Sequence, residues 1–467
     1  MRSAVHRIPT MASDLYLKNA RVVLEDAVID GGVLVSGETI ADVVVGTPQI
    51  DAERTVDLGG QALLPGVVDA HVHFNQPGRD HWEGYRTGTM AAAAGGVTTI
   101  LEMPLNATPP TITAAEFDRK RESVRGDAVV DYGLWGGLVD NNLSDLADLN
   151  ERGVIGFKGF MSNSGVDFAR VDDDLIYAGL LESRQLGNLV GLHAENEYVT
   201  DYLGKGLRES GRTDRASWHQ SRPPATELEA VQRACYWAGV TGGNLHIVHV
   251  SIAQGVQHIA QARRNGVHVT AETCPHYLCL DEDDFERLGP AAKCAPPLRS
   301  RENVEALWGC VLAGQVDTLG SDHSPCPWED KAPGMENIWK AWGGIQGLQT
   351  MLPALLTEGF HARGLSLPAL MKMLAANPAR LFGLAPRKGV IAIGADADLV
   401  AVDLDRTWTI SADQLLYKNQ HSAYVGRTFR GRVEKTWVRG QIVYEDGHVK
   451  AKPGYGQWLR RGMRYAY

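Results

Sequence analysis

Leu63-Leu64-Pro65-Gly66-Val67-Val68-Asp69-Ala70-His71-Val72-His73 is an apolar run that closes on two histidines one residue apart. Its reading decides the fold. Side chains on a strand alternate between faces, so His71 and His73 point the same way, about 7 Å apart along the strand. Both imidazoles can therefore reach one metal ion. Two histidines at this spacing also suit an exposed strand. What favours a site is their place at the end of a run apolar enough to be buried on both faces.

Similar runs recur outward from this one. With 64–72 itself they are 97–103, 128–135, 153–159, 188–194, 244–250, 267–272 and 316–321, and longer helix-compatible stretches such as 225–240 and 299–314 lie between most of them. Eight alternations of this kind predict an α/β fold, a (β/α)8 TIM-type barrel over 64–387, with the active site at the C-terminal ends of the strands. The chain ends have another rhythm. Leu15-Tyr16-Leu17, Gly32-Val33-Leu34-Val35, Ala397-Asp398-Leu399-Val400-Ala401-Val402 and Lys435-Thr436-Trp437-Val438-Arg439-Gly440 are short alternating runs broken by Gly and Asp, as in short antiparallel strands. Residues 12–63 and 388–450 are thus expected to form one small β-sandwich domain from both termini, with the barrel inserted in it. Residues 1–11 read as a disordered extension and 451–467 as a C-terminal tail.

Other polar residues obey the same strand-end rule. His193 ends Leu189-Val190-Gly191-Leu192-His193, His249 lies in His246-Ile247-Val248-His249-Val250, and Asp322 follows Thr318-Leu319-Gly320-Ser321. Each alone is as well read as a hydrogen-bonded structural residue. The set, at the ends of strands 1, 5, 6 and 8, reads as a metal site. His246 lies three residues from His249, faces the other way and is expected to be structural. Lys158, in Val154-Ile155-Gly156-Phe157-Lys158-Gly159-Phe160 on the fourth strand, is the most informative. A lysine at a strand end ordinarily snorkels to solvent, but inside a barrel an unpaired ammonium is costly. A neutral amine there can capture carbon dioxide as a carbamate, a carboxylate-like group on a long arm able to bridge two cations.

Composition narrows the function classes. The 467 residues are 44% hydrophobic and 22% charged, ample for a large core and for more than one domain. A net charge of −10 leaves no basic field for nucleic acid or an anionic membrane, so a small-molecule substrate is expected. Six scattered cysteines without CxxC spacing read as reduced thiols, and no apolar run suits a bilayer span or a signal peptide. A cytoplasmic enzyme is the expectation. The tryptophans, Trp82, Trp339 and Trp342 among them, read mostly as packing, and Met90-Ala91-Ala92-Ala93-Ala94-Gly95-Gly96 as a helix against the sheet. Cys274 and Cys294 read as non-nucleophilic. His276 and His323 fit equally as partners of the ligands or as substrate contacts.

The order HxH on strand 1, lysine on strand 4, histidines on strands 5 and 6 and aspartate on strand 8 resembles the cyclic-amidase branch of the amidohydrolase superfamily, which contains dihydroorotases, hydantoinases and allantoinases. The resemblance spans essentially the whole chain, and all six ligand positions are matched. It implies that His71 and His73 bind one divalent metal ion, completed by Asp322, and that His193 and His249 bind a second. Lys158, converted by carbon dioxide to N6-carboxylysine, would bridge both. It also implies attack on a cyclic amide by a metal-bridging hydroxide, with Asp322 passing the proton to the leaving nitrogen. Zinc is the leading metal, and cobalt, manganese, nickel or iron also suit nitrogen and oxygen ligands. A homotetramer is the assembly the resemblance implies.

Residues near the ligands discriminate among substrates. Dihydroorotases carry an arginine two residues after HxH; Asn75 stands there and cannot make a charged bidentate pair with a carboxylate, although Arg79 is nearby. Hydantoinases carry a tyrosine five residues after the bridging lysine, where this chain has Asn163. The runs Gln76-Pro77-Gly78-Arg79-Asp80-His81-Trp82-Glu83-Gly84-Tyr85, Glu102-Met103-Pro104-Leu105-Asn106, Cys274-Pro275-His276-Tyr277, Cys294-Ala295-Pro296-Pro297-Leu298-Arg299, Ser321-Asp322-His323-Ser324-Pro325-Cys326-Pro327 and Lys340-Ala341-Trp342-Gly343-Gly344-Ile345 are similar to those of allantoinases. Ala295 departs from the serine common in relatives: a backbone contact would survive, a hydroxyl contact would be lost. The resemblance implies opening of allantoin to allantoate, with Asn106, Ala295 and Ser324 touching substrate. A hydantoinase or dihydropyrimidinase is the alternative. A non-catalytic scaffold of the same fold is the remote one, weakened because all six ligands are kept.

Overall fold

The computed structural model describes residues 13–462, so the extension expected at 1–11 lies outside the described residues. Strands Val67–Val72, Val97–Glu102 and Asp131–Leu134 pair in parallel. A second parallel sheet runs Gly136–Gly137, Phe157–Phe160, Val190–His193, Leu245–Ile247, Val269–Thr273 and Thr318–Leu319. Only Trp135 separates the two sheets at one junction, where the Ile155 N–H donates to Leu134 O at 3.0 Å and the Gly136 N–H to Gly156 O at 2.9 Å. At the other junction Val72 is bridged in parallel to His323, and the His73 N–H donates to His323 O at 2.9 Å. The strands therefore succeed one another in chain order, and the last is tied back to the first. All residues of Val67–Val72 and Val97–Glu102 are buried, as parallel strands covered on both faces require.

Helices alternate with these strands, and their ends follow local chemistry. Pro224–Thr241 starts with proline in its first turn and stops at Gly242 in a left-handed conformation, φ 63°. Tyr85–Ala94 packs close because its inward residues are small: Ala91, Ala92, Ala93 and Ala94 are buried, and a Cβ on Gly88 would lie 2.5 Å from the Phe74 ring. The residue after His73 is thereby clamped between helix and sheet.

The run read as 64–72 breaks at Gly66. Ala62–Pro65 pairs with Ser13–Val23 and Leu399–Thr409 in the sheet built from the chain ends, and the parallel system starts only at Val67. Gly66 is the joint because any Cβ there would collide with the Thr98 side chain, 2.1 Å from its Oγ1. The terminal sheet draws on both chain ends, as expected, but it is not made only of short antiparallel strands. Ser13–Val23, Leu399–Thr409 and Thr428–Val438 each span 11 residues. Ser13–Val23 shifts register between Leu17 and Ala20 and pairs in parallel with Ala52–Asp57 along one half and Ala62–Pro65 along the other. Its own core gathers Leu17, Val22, Val33 and Leu63 with Leu399, Ala401 and Trp437.

A buried ionic cluster joins the two systems. Lys388 Nζ lies 2.6 Å from Asp131 on a parallel strand and 2.8 and 2.7 Å from Asp396 and Asp398 beside the terminal sheet. Arg439 also pairs with Asp131. The described part of the C-terminal tail is anchored here: the Tyr132 N–H donates to Gln457 O and the Leu459 N–H to Tyr132 O. Among the described residues all six cysteines are unpaired and buried, and no helix is long and apolar enough to cross a membrane.

Candidate metal centre and substrate pocket

The C-terminal ends of the parallel strands bring the expected ligands together. Nε2 of His71 and of His73 lie 3.3 and 3.4 Å from Oδ1 of Asp322. His193 Nδ1 lies 3.0 Å from His249 Nε2, and the His71 and His249 rings are 5.3 Å apart. Lys158 is fully buried in the same place; its Nζ donates to Gly159 O at 3.3 Å and lies 3.5 Å from the centre of the Phe160 ring. Backbone strain concentrates here too. His249, Asp322 and Asn106 adopt positive φ of 40°, 43° and 39°, a conformation that costs about 1–3 kcal/mol per non-glycine residue and clusters at functional sites.

All but one of these groups have the protonation states that metal ligation demands. Burial lowers the pKa of His73, His193 and His249, the last also because His193 faces it. Those rings are neutral at pH 7 and have lone pairs to give. His71 is the exception: burial lowers it, but Asp322 and Glu272 outweigh that and raise it. Burial opposes ionisation of Asp322, yet His71, His73 and His249 hold its pKa far below the usual carboxylate range. Burial drives the Lys158 amine well below the usual lysine value. A neutral amine is the form that adds to carbon dioxide. The nitrogen and oxygen donor set, the facing His193 and His249 nitrogens and the buried, unbonded His249 Nδ1 all fit divalent cations.

Partners behind the ligands set their orientation. Glu272 Oε1 accepts from His71 Nδ1 at 2.7 Å and from the His249 backbone N–H at 3.2 Å. Holding a proton on Nδ1 makes Nε2 the nitrogen that His71 turns toward Asp322 and the site. Glu195 does the same for His193 at 2.8 Å from Nε2. Both glutamates have pKa values near 2: burial raises them, and the adjoining cations and imidazoles more than compensate. His246 hydrogen-bonds Thr270 Oγ1 at 2.8 Å, away from the ligands. Neither Glu195 nor Glu272 was singled out from sequence. The signal was there: Glu195 lies two residues past His193, and Glu272 closes the 267–272 run that otherwise supplied nothing to the site.

A cavity of about 80 Å³ is lined by His71, His73, His193, His249 and Asp322, and by Asn106, Ala295 and Ser324. Asn163, Ser164 and Arg222 join them. An outer cavity of about 660 Å³ shares the Asn163, Arg222 and Ala295 walls. The packed loop tryptophans also wall the cavities: Trp342 lines both, and Trp82 and Trp339 line the outer one. Their loops fold over the strand ends, and the edge contact of Trp82 with Trp342, 4.7 Å between centres, walls the entrance. Cys294 also lines the inner cavity, and burial pushes its thiol up to about 12, against a nucleophile. Asn75 is buried with its amide unbonded and lines neither cavity, and Arg79 stacks 5.0 Å over Trp82. His276 and His323 are buried and likewise line neither cavity.

Comparison with known proteins agrees with this arrangement. The amidohydrolase family model matches residues 62–443. The chain is 48% identical over 444 residues to an allantoinase of Rubrobacter xylanophilus, covering 94% of this chain and 97% of the relative. It is 44% identical over 453 residues to an allantoinase of Deinococcus radiodurans, covering 96% and 99%. The solved L-hydantoinase (dihydropyrimidinase) from Arthrobacter aurescens superposes with a TM-score of 0.93 at 38% identity, covering 96% of this chain and 100% of that one.

Proposed function

The chain belongs to the amidohydrolase family, and on that premise we propose that it is an allantoinase, a metal-dependent hydrolase opening the cyclic amide of allantoin to allantoate. The carrying observation is the convergence of four imidazoles and Asp322 on one small cavity, with the buried Lys158 amine directly behind the Phe160 ring of its wall. Near full-length likeness to allantoinases selects the substrate. Counting Asp131–Leu134 and Gly136–Gly137 as one strand interrupted at Trp135, we take the successive parallel strands as the eight of a closed (β/α)8 barrel and the terminal sheet as its companion β-sandwich.

His71, His73 and Asp322 would hold one divalent cation, and His193 and His249 another, with zinc the leading choice. Lys158 would join them after its nitrogen adds to carbon dioxide, forming an N–C bond and releasing a proton. When bound, such cations acidify a water and polarise an amide carbonyl. The chain's own residues do the rest. Asp322 accepts the proton of the attacking water and returns it to the ring nitrogen as the C–N bond breaks, leaving a carboxylate and a ureido –NH2. Asn106, Ser324 and the Ala295 backbone orient the ring, and the tryptophan-walled entrance restricts bulk water. The exposed Tyr198, Tyr202 and Tyr236 leave apolar surface for the homotetramer we also propose, to be measured by light scattering.

A parallel assay tests the substrate. Zinc-loaded protein should open allantoin faster than hydantoin, dihydrouracil or dihydroorotate. The likeness to L-hydantoinase favours the second reading, and faster opening of hydantoin or dihydrouracil would establish it instead.

A further inference from the structure

His193 is backed by two charged residues to which neither strand pattern nor family likeness gives a role. Glu195 is fully buried, and its Oε2 accepts from Nε2 of His193 at 2.8 Å and from the Arg222 guanidinium at 2.5 Å. With the proton held on Nε2, the ring turns a bare Nδ1 to His249 Nε2, 3.0 Å away. His249 lacks such support: its Nδ1 is buried without a hydrogen bond. His73 Nδ1 has only a long contact to Leu105 O at 3.4 Å. On this side of the centre, Glu195 is therefore the carboxylate that selects an imidazole tautomer.

Arg222 is itself held in place. It stands between helices Ala216–Ser221 and Pro224–Thr241, and its carbonyl accepts from Arg299 at 2.6 Å. Arg299 pairs with buried Glu227 at 2.8 Å and donates to Ser251 Oγ at 2.9 Å, two residues beyond His249. The same buried network thus reaches the segments that carry Arg222 and His249.

We propose that Glu195 and Arg222 form a positioning pair for His193. Glu195 fixes which ring nitrogen faces the metal-binding side, and Arg222, on the same Oε2 at 2.5 Å, holds that carboxylate in place. The proposal rests on His193 being a metal ligand. A carboxylate that loses its guanidinium partner is free to shift away from the imidazole, and the imidazole is then free to turn. Arg222 lines both cavities, so a plain substrate contact is the rival role, and the two differ in what they do to metal affinity.

The test compares wild type with Glu195→Gln, Arg222→Met and Arg222→Lys, each loaded with zinc in bicarbonate. Zinc affinity is read by chelator competition, and kcat and KM with allantoin. Loss of an outer-shell partner typically weakens a metal about 10–100-fold; Glu195→Gln and Arg222→Met should do so for the more weakly held ion. Arg222→Lys, which keeps the cation, should recover part of the loss. KM should move little while kcat falls. Wild-type zinc affinity in both Glu195→Gln and Arg222→Met overturns the pair, as does an Arg222→Met that raises KM alone. If Glu195→Gln fails to fold, equal zinc affinity in Arg222→Met and Arg222→Lys overturns it. Wild-type protein that holds zinc yet leaves allantoin intact overturns only the substrate assignment, and the affinity ratios still decide the pair.

Discussion

Lys158 Nζ lies 3.5 Å from the centre of the Phe160 ring, two residues along the same strand and on the same face. The same ring stacks on His193, 4.7 Å between centres and 16° from parallel. Phe160 thus spaces the amine from the imidazole and keeps water from both. No carboxylate lies within 4 Å of the amine among the described residues, and burial favours its neutral form.

On the proposed assignment, replacing Lys158 should remove the bridging carboxylate and with it the centre's charge balance. Lys158→Ala is expected to lower kcat/KM for allantoin about a thousand-fold, several kcal/mol of lost charge stabilisation. Zinc content after desalting should fall with it. Added formate, a small carboxylate that fits the space left, should restore part of the activity. Near-normal turnover without formate would refute the bridging role.

Ser324 is expected to hold substrate rather than metal. Its Cα sits two residues past Asp322, and it lines the inner cavity. Ser324→Ala should cost about one neutral hydrogen bond, 0.5–1.5 kcal/mol or roughly 2–10-fold in kcat/KM. Zinc content should stay unchanged. A loss of zinc in this variant would move Ser324 into the metal shell.

Gly344 keeps that serine in place. A Cβ at Gly344 would lie 2.5 Å from Ser324 O and 2.7 Å from its side chain, at φ 159°. The loop has little room to yield, because the Gly344 N–H donates to Lys293 O at 2.7 Å. Gly344→Ala should force Ser324 aside and lower kcat/KM roughly 5–100-fold, the overpacking cost of about 1–3 kcal/mol expressed as activity. Full activity would show that the loop accommodates the methyl group.

Lys388 carries the junction between the two hydrogen-bonded systems. Lys388→Met strands Asp131, Asp396 and Asp398 with only part of their cationic partners and should lower stability by about 3–5 kcal/mol, read as a reduced urea midpoint at pH 7. Burial raises the Asp131 pKa, but Lys388 and Arg439 outweigh it and hold the pKa low. That contribution is complete above the ordinary carboxylate range and lost as pH falls below it. In the variant the stranded carboxylates protonate more readily, so its deficit should shrink as pH is lowered. A deficit independent of pH would show that packing, not charge, is what Lys388 supplies.

Much of this was legible from residues alone, for stated reasons. The HxH spacing and the histidines at 193 and 249 follow strand periodicity, which does not depend on tertiary detail. Lys158 stood out because a cation inside an apolar run contradicts its surroundings. What could not be read were relations across space. The break at Gly66 depends on the Thr98 side chain of a neighbouring strand. Arg222 reaches Glu195 from a loop 27 residues away. Trp82 and Trp342 meet only because loops after the first and last parallel strands fold toward each other. Local pattern marked the candidate ligands, whereas their supports and the cavity walls required the fold.

The central claim is that six residues hold two divalent ions around a carboxylated Lys158. The most direct measurement is a crystal structure of protein purified with zinc and bicarbonate, with anomalous data at the zinc edge. Two anomalous peaks are expected, one among His71, His73 and Asp322 and one between His193 and His249, with carboxylate density continuous with Lys158 Nζ reaching both. A single peak, or two peaks beside a bare Lys158 amine, would contradict it.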